Sequence, residues 1–323
     1  MKKRNIVLIG GGQLGSRHLQ ALVKLEEPVC ITVIDPSGEA LALCKTRAGE
    51  IAGWNRHELV YQNKIENLPD VDFAVVATSA KVRRAVVEEL FSAAEVKNML
   101  LEKVLFQCAD DCVQTGELLR QRQVKTWVNA PRRMWPFYQQ LRRELAGEHI
   151  VGFRQTGSRW GLACNAYHLM DLFSFLAGSR VAYLSPDLID QQVRESKRTG
   201  FKELSGTLVG RLENGCFFSI SDCYNREISE SIYIETDRRF IHIRESDQTV
   251  LVFTGSQLPD GLVPSPRYQS DLTHQVFLDI MKSGTCDLAT YEEASCCHQK
   301  MLRCFASIFS QDADRGAWLC PIT

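Results

Sequence analysis

Short runs of Val, Ile and Leu with few polar interruptions set the rhythm of the first 130 residues: RNIVLI at 4–9, CITVID at 30–35, DFAVVAT at 72–78, NMLLEK at 98–103 and VKTWVNA at 124–130. Runs that do not alternate apolar with polar are strands buried on both faces, as in a parallel sheet. Between them apolar positions recur at helical spacing. Leu14, Leu19, Leu22 and Val23 form one such stripe, and further helical stretches lie near 37–48, 81–94 and 109–122, with a weak strand near 58–62. Strand–helix alternation predicts right-handed βαβ units wound into a parallel, Rossmann-type sheet.

After residue 130 the pattern changes. Helices are predicted near 136–146 and 165–177. The runs GTLVGRL, CFFSISDC, SIYIET, RFIHI and TVLVF then follow one another between 206 and 253. Tight turns such as Glu213-Asn214-Gly215 join consecutive strands, which predicts an open, mainly antiparallel sheet. Helical patterns return near 268–283 and 290–309. The expectation is an α/β chain of two domains: a Rossmann domain over 1–128, and an α+β domain over 129–323 for substrate binding and oligomerisation.

Composition narrows the function class. The chain has 323 residues, 45% hydrophobic and 24% charged, with a formal net charge of −1. No basic excess points to nucleic acid. No apolar run approaches the roughly 20 residues of a membrane span. The opening MKKRNIVLIGGG runs from a short apolar stretch straight into glycines, so it reads as a first strand and not as a leader. The twelve cysteines are scattered without a CxxC pair. Free thiols in a reducing cytoplasm, and no metal site, are therefore expected.

The candidate chemistry begins at Gly10-Gly11-Gly12-Gln13-Leu14-Gly15, a GxGxxG motif between a strand and a helix. Gly10 suits the tight turn, Gly12 the approach of a pyrophosphate, and Gly15 close helix–strand packing. The helix N-terminus adds free N–H groups and partial positive charge. Asp35, at the end of the second strand, is placed to hold the adenosine ribose and to repel a 2′-phosphate, which favours NAD over NADP. Ligands of such sheets sit at the carboxyl ends of the strands, here Thr78-Ser79, Glu102-Lys103 and Asn129. Lys103, if partly desolvated, suits proton transfer. His168 and Asp171, three apart on a helix, could form an oriented acid–base pair. Arg132, Arg133, Arg159 and the run Arg194–Arg198 could meet an anionic substrate. Trp135 and Trp160 could stack on a sugar ring.

These residues together resemble one family over nearly the whole chain, the glucose–fructose oxidoreductase/inositol dehydrogenase (Gfo/Idh/MocA) oxidoreductases. The glycine-rich turn followed by His18, the pair Glu102-Lys103, the His168/Asp171 spacing and Leu-Ala-Thr-Tyr-Glu-Glu at 288–293 carry the resemblance. It implies NAD bound by Gly10, Gly12, Gln13, Leu14, Gly15, Asp35, Thr78, Ser79, Glu102 and Lys103. It further implies a sugar, polyol or nucleotide-sugar hydroxyl oxidised with help from Lys103, His168 and Asp171, and substrate contacts at Asn129, Arg132, Trp160 and Asn165. A homodimer or homotetramer assembled through the C-terminal sheet is also implied. The chain departs from the family pattern at Val104, where a Pro is usual, and at Cys164, where an Asp is usual. It departs again at Ser79 in the family's Thr-Pro and at Arg83 in place of a His. These departures keep a second reading open, a dinucleotide-binding sensor or scaffold without turnover.

Overall fold

The computed structural model describes residues 3–309 and 319–323. The first half follows the predicted alternation. Strands β1 (Asn5–Ile9), β2 (Cys30–Ile34), β3 (Glu58–Gln62), β4 (Phe73–Val76), β5 (Asn98–Glu102) and β6 (Lys125–Asn129) are linked by α1 (Gln13–Leu22), α2 (Gly38–Gly49), α3 (Ala80–Ala93) and α4 (Ala109–Gln121). Every residue of β4 is fully buried, as expected of a strand covered on both sides.

The chain continues through α5 (Pro136–Glu144), β7 (Ile150–Gly157), α6 (Leu162–Ala177), β8 (Val181–Ile189), β9 (Arg194–Glu195), β10 (Lys202–Glu203), β11 (Gly206–Leu212), β12 (Phe217–Asp222), β13 (Ser231–Thr236), β14 (Phe240–Arg244) and β15 (Thr249–Thr254). It closes with α7 (Thr273–Ser283), β16 (Ala289–Thr290) and α8 (Tyr291–Phe309).

Two compact units result. The first comprises 1–106, 113–131 and 267–292, and the second 107–112, 132–266 and 293–323. The expected division at 128/129 differs from this, because the chain returns to the first unit after the second sheet. There Phe277 of α7 meets Phe73 of β4 edge-on, with ring centroids 5.6 Å apart, and Lys24 pairs with Asp271 at 2.6 Å. The first sheet has the order β16-β6-β5-β4-β1-β2-β3, parallel throughout except for the antiparallel edge strand β16.

The second sheet, β15-β14-β13-β7-β12-β11-β8, is mainly antiparallel, with β7 and β12 parallel. Its central strand, β7, escapes the hydrophobic pattern. Two glycines interrupt it, and one of its buried positions is Gln155, whose side-chain oxygen accepts the Ser221 N–H at 3.2 Å. One face of this sheet carries α6, where Phe173 stacks on Phe153 at 4.6 Å. The twelve cysteines are free, no metal-holding group occurs among the described residues, and no helix among them is long and apolar enough to cross a membrane.

Candidate active site

The glycine-rich turn is built by steric exclusion. Gly10 has φ +94°, and a Cβ at Gly15 would lie 1.7 Å from the Gly10 carbonyl oxygen, so only glycine lets α1 start this close to β1. Gly12 is the opposite case. It is exposed, nothing lies within 4 Å of where its Cβ would stand, and it begins α1 without a side-chain cap. The first N–H groups of α1 therefore face an open cradle beside a bare backbone, which fits a pyrophosphate. Asp35 stands at this turn: its Oδ2 accepts the Gly11 N–H at 2.7 Å and its Oδ1 the Ser37 N–H at 2.8 Å.

Two residues of α2 that the sequence did not single out support the turn. Cys44 Sγ donates to the Gly11 carbonyl at 3.2 Å. Burial, and next the charge of Asp35, push this thiol up to about 12, so it remains a donor at neutral pH. Arg47 reaches the Gln13 carbonyl (2.8 Å), Gln13 Oε1 (2.7 Å) and Ser16 Oγ (2.6 Å). Gln13 is thus held by Arg47, and Leu14 beside it is half-buried.

The next strand ends carry the other candidates. Thr78 Oγ1 is buried with no hydrogen-bond partner among the described residues, and Ser79 starts α3. Arg83, only 1% exposed, donates to the Thr78, Val104 and Leu105 carbonyls. A strand-end loop is thereby tied to the segment that follows Lys103. Glu102 is also buried. Its Oε1 accepts from His18 Nε2 at 2.9 Å and from the Asn129 amide, His18 Nδ1 faces Thr273 Oγ1 at 2.8 Å, and Asn129 donates to Gln269 at 2.7 Å. Burial alone would raise the Glu102 carboxyl. The bond and charge of His18, the Asn129 amide and the charge of Lys103 outweigh it and leave Glu102 below its ordinary range. Glu102 and Asn129 were expected to touch cofactor and substrate. Their side chains brace the strand end from which the half-buried Lys103 projects.

In the second unit the entry to α6 is assembled from distant pieces. Gly161 starts the helix with φ +88° and no cap of its own. Glu203 of β10 accepts the Ala163 N–H, the Cys164 N–H at 3.3 Å and the Leu204 N–H at 3.0 Å. Its carboxyl is raised by burial, and these N–H groups oppose the rise. Asp222 accepts the N–H groups of Arg159 (2.6 Å) and Gly161 (2.9 Å). The Trp160 indole donates to the Ser221 carbonyl at 3.0 Å, and the Asn165 amide donates to the Trp160 carbonyl at 2.8 Å. His168, half-buried, lies one turn further along α6.

Three expected site residues have internal partners. Asp171, expected to orient His168, is clasped by Arg133 through two bonds of 2.9 and 2.7 Å. Burial pushes the Asp171 carboxyl up, and Arg133 opposes that push. Arg132, expected at substrate, is half-buried in a two-pronged pair with Glu245 at 2.7 Å, with Tyr138 on the same carboxylate. Asn165 spends its amide on the helix entry. Asp171 is buried, and a buried charge needs such an internal partner. Trp135 is buried against Tyr138, while Arg194 stacks over Tyr224 at 3.8 Å.

Comparison with known proteins agrees with this geometry. A family model described as an oxidoreductase family with an NAD-binding Rossmann fold matches residues 4–130. No curated protein matches the chain in sequence. Among solved structures the fold is similar to UDP-N-acetylglucosamine 3-dehydrogenase GnnA from Acidithiobacillus ferrooxidans, with TM-score 0.70 and 16% identity over 94% of this chain and 97% of that one. It is similar to scyllo-inositol dehydrogenase from Lactobacillus casei with bound NAD(H) and scyllo-inositol, with TM-score 0.66 and 14% identity over 96% and 98% of the two chains. It is similar, too, to a super-repressor mutant of Gal80p from Saccharomyces cerevisiae, with TM-score 0.68 and 12% identity over 96% and 97%. At these identities the likeness is one of fold.

Proposed function

We propose that this chain, whose residues 4–130 match the model of an oxidoreductase family with an NAD-binding Rossmann fold, is an enzyme that oxidises a hydroxyl, or reduces the matching keto group, of a sugar or nucleotide-sugar derivative. NAD, when bound, supplies the hydride acceptor. Lys103 is the group that moves the proton at the substrate oxygen, and His168, on α6 of the second unit, is the other candidate for that task. The observation that carries this reading is the buried His18–Glu102–Asn129 network. It fixes the end of β5 so that Lys103 stands at the same carboxyl edge of the parallel sheet as the Gly12 cradle and Asp35.

A second reading has two observations in its favour. Cys164 places a thiol where the family pattern that the sequence resembles has an Asp, and a similar fold occurs in a protein described as a super-repressor mutant. In that reading the chain binds the dinucleotide as a sensor and turns nothing over. The test is NADH binding by titration calorimetry, followed by a panel of sugars, inositols and nucleotide sugars with NAD. Turnover on any of them removes the sensor reading. Tight NADH binding with no turnover across the panel removes the enzyme reading.

The partner expected beyond substrate is a second copy of this chain. The face of the second sheet opposite α6 carries Tyr183, Phe217, Leu251 and Phe253, all more than half exposed, beside the stacked pair Tyr233 and His242. A patch of this kind on a soluble domain supports self-association.

A further inference from the structure

The second unit contains a cavity of about 230 Å³ at the carboxyl end of α6, and neither His168 nor Asn165 lines it. Three guanidinium groups do: Arg133, Arg142 and Arg180. Arg133 is matched by Asp171 at 2.7 Å and by Glu293 at 3.6 Å. Arg142 lies over the Phe175 ring at 4.5 Å, and neither it nor Arg180 has a carboxylate partner among the described residues. The carboxyl end of a helix attracts one nearby cation through its exposed carbonyls. Arg180 lies two residues past the Gly178 cap of α6, and Arg142 lies in the last turn of α5. Ser174 and Ser179 add two hydroxyls to the same wall.

Arginine forks and hydroxyl donors around one concave space match the oxygens of a phosphate or carboxylate. We propose that this cavity is a binding site for a small anionic metabolite, held by Arg142, Arg180, Ser174 and Ser179. The volume is below the roughly 300–1,000 Å³ of pockets for drug-sized ligands, so the ligand carries few atoms besides its anionic group. Asp171 lines the same cavity and lies one turn from His168 on α6, so the occupant touches the helix that carries the proposed acid–base histidine. The site stands independently of the reaction assigned above.

Titration calorimetry at constant ionic strength tests it, with inorganic phosphate and citrate as probes, on the wild type and on the double variant Arg142→Ser/Arg180→Ser. One saturable site per chain is expected for at least one probe, weakened ~10-fold or more in the variant, as expected when charge-assisted hydrogen bonds are lost. Which of the two probes binds separates phosphate from carboxylate chemistry. Absence of saturation with both, or equal affinity in a variant with an unchanged thermal transition, overturns the proposal. Should the variant fail to fold, alkylation of Cys296, which is half-buried in the cavity wall, is followed in the wild type by mass spectrometry. Saturating phosphate or citrate is expected to slow its modification by iodoacetamide, and an unchanged rate with both overturns the proposal.

Discussion

Asp35, Lys103 and Glu102 carry the sharpest expectations for single residues. Asp35 offers a carboxylate at the glycine-rich turn, so Asp35→Ala should weaken NADH binding about 10-fold and erase any preference over NADPH, read by titration calorimetry of both. Lys103→Met should lower turnover at least ~10²-fold, the usual contribution of a positioned acid–base group, while NADH affinity stays near wild type. Near-normal turnover would remove Lys103 from the mechanism. Glu102 is held below its ordinary value of 4.5 in the folded chain. The folded form therefore binds that proton less readily than the unfolded form. Its stabilising contribution is complete above the ordinary value and fades as pH falls through 4.5 and below. Urea midpoints measured from about pH 7 down to about pH 3 should drop less steeply in Glu102→Gln than in the wild type.

Helix α6 shows how an element depends on segments far from it in sequence. Its apolar stripe was legible from spacing alone, as were the extents of α1, α3 and α5 to within a few residues. What starts α6 was not legible, because the cap is Glu203, forty residues downstream of Ala163. Removing it in Glu203→Ala should cost about 1–2 kcal/mol, the usual value of a lost N-cap, seen as a lower denaturant midpoint. An unchanged midpoint would mean that the N–H groups at the start of α6 find water equally well. Strand β7 went unread for a related reason. Its buried side includes Gln155, and a polar side chain that finds its partner on a neighbouring strand gives no apolar signal along its own.

For the molecule as a whole, the exposed face of the second sheet is the feature that calls for a partner. Phe217 and Phe253 are 61% and 60% exposed there. Phe217→Glu should shift the chain toward monomer in light scattering at micromolar concentration, without loss of NADH binding. A wild type that is already monomeric would count against association through this face. The sequence by itself determined the Rossmann sheet, the glycine-rich turn, Asp35 and the position of Lys103. These depend on local steric rules and on the 2.0 and 3.6 periods, which operate between residues a few positions apart. Only the tertiary structure decided how Asp171, Arg132, Glu102 and Asn129 are used. Arg132 is half-buried and the other three are buried, and a polar group withdrawn from water goes to whichever complementary group the fold brings within reach. For Asp171 that group is Arg133, thirty-eight residues away.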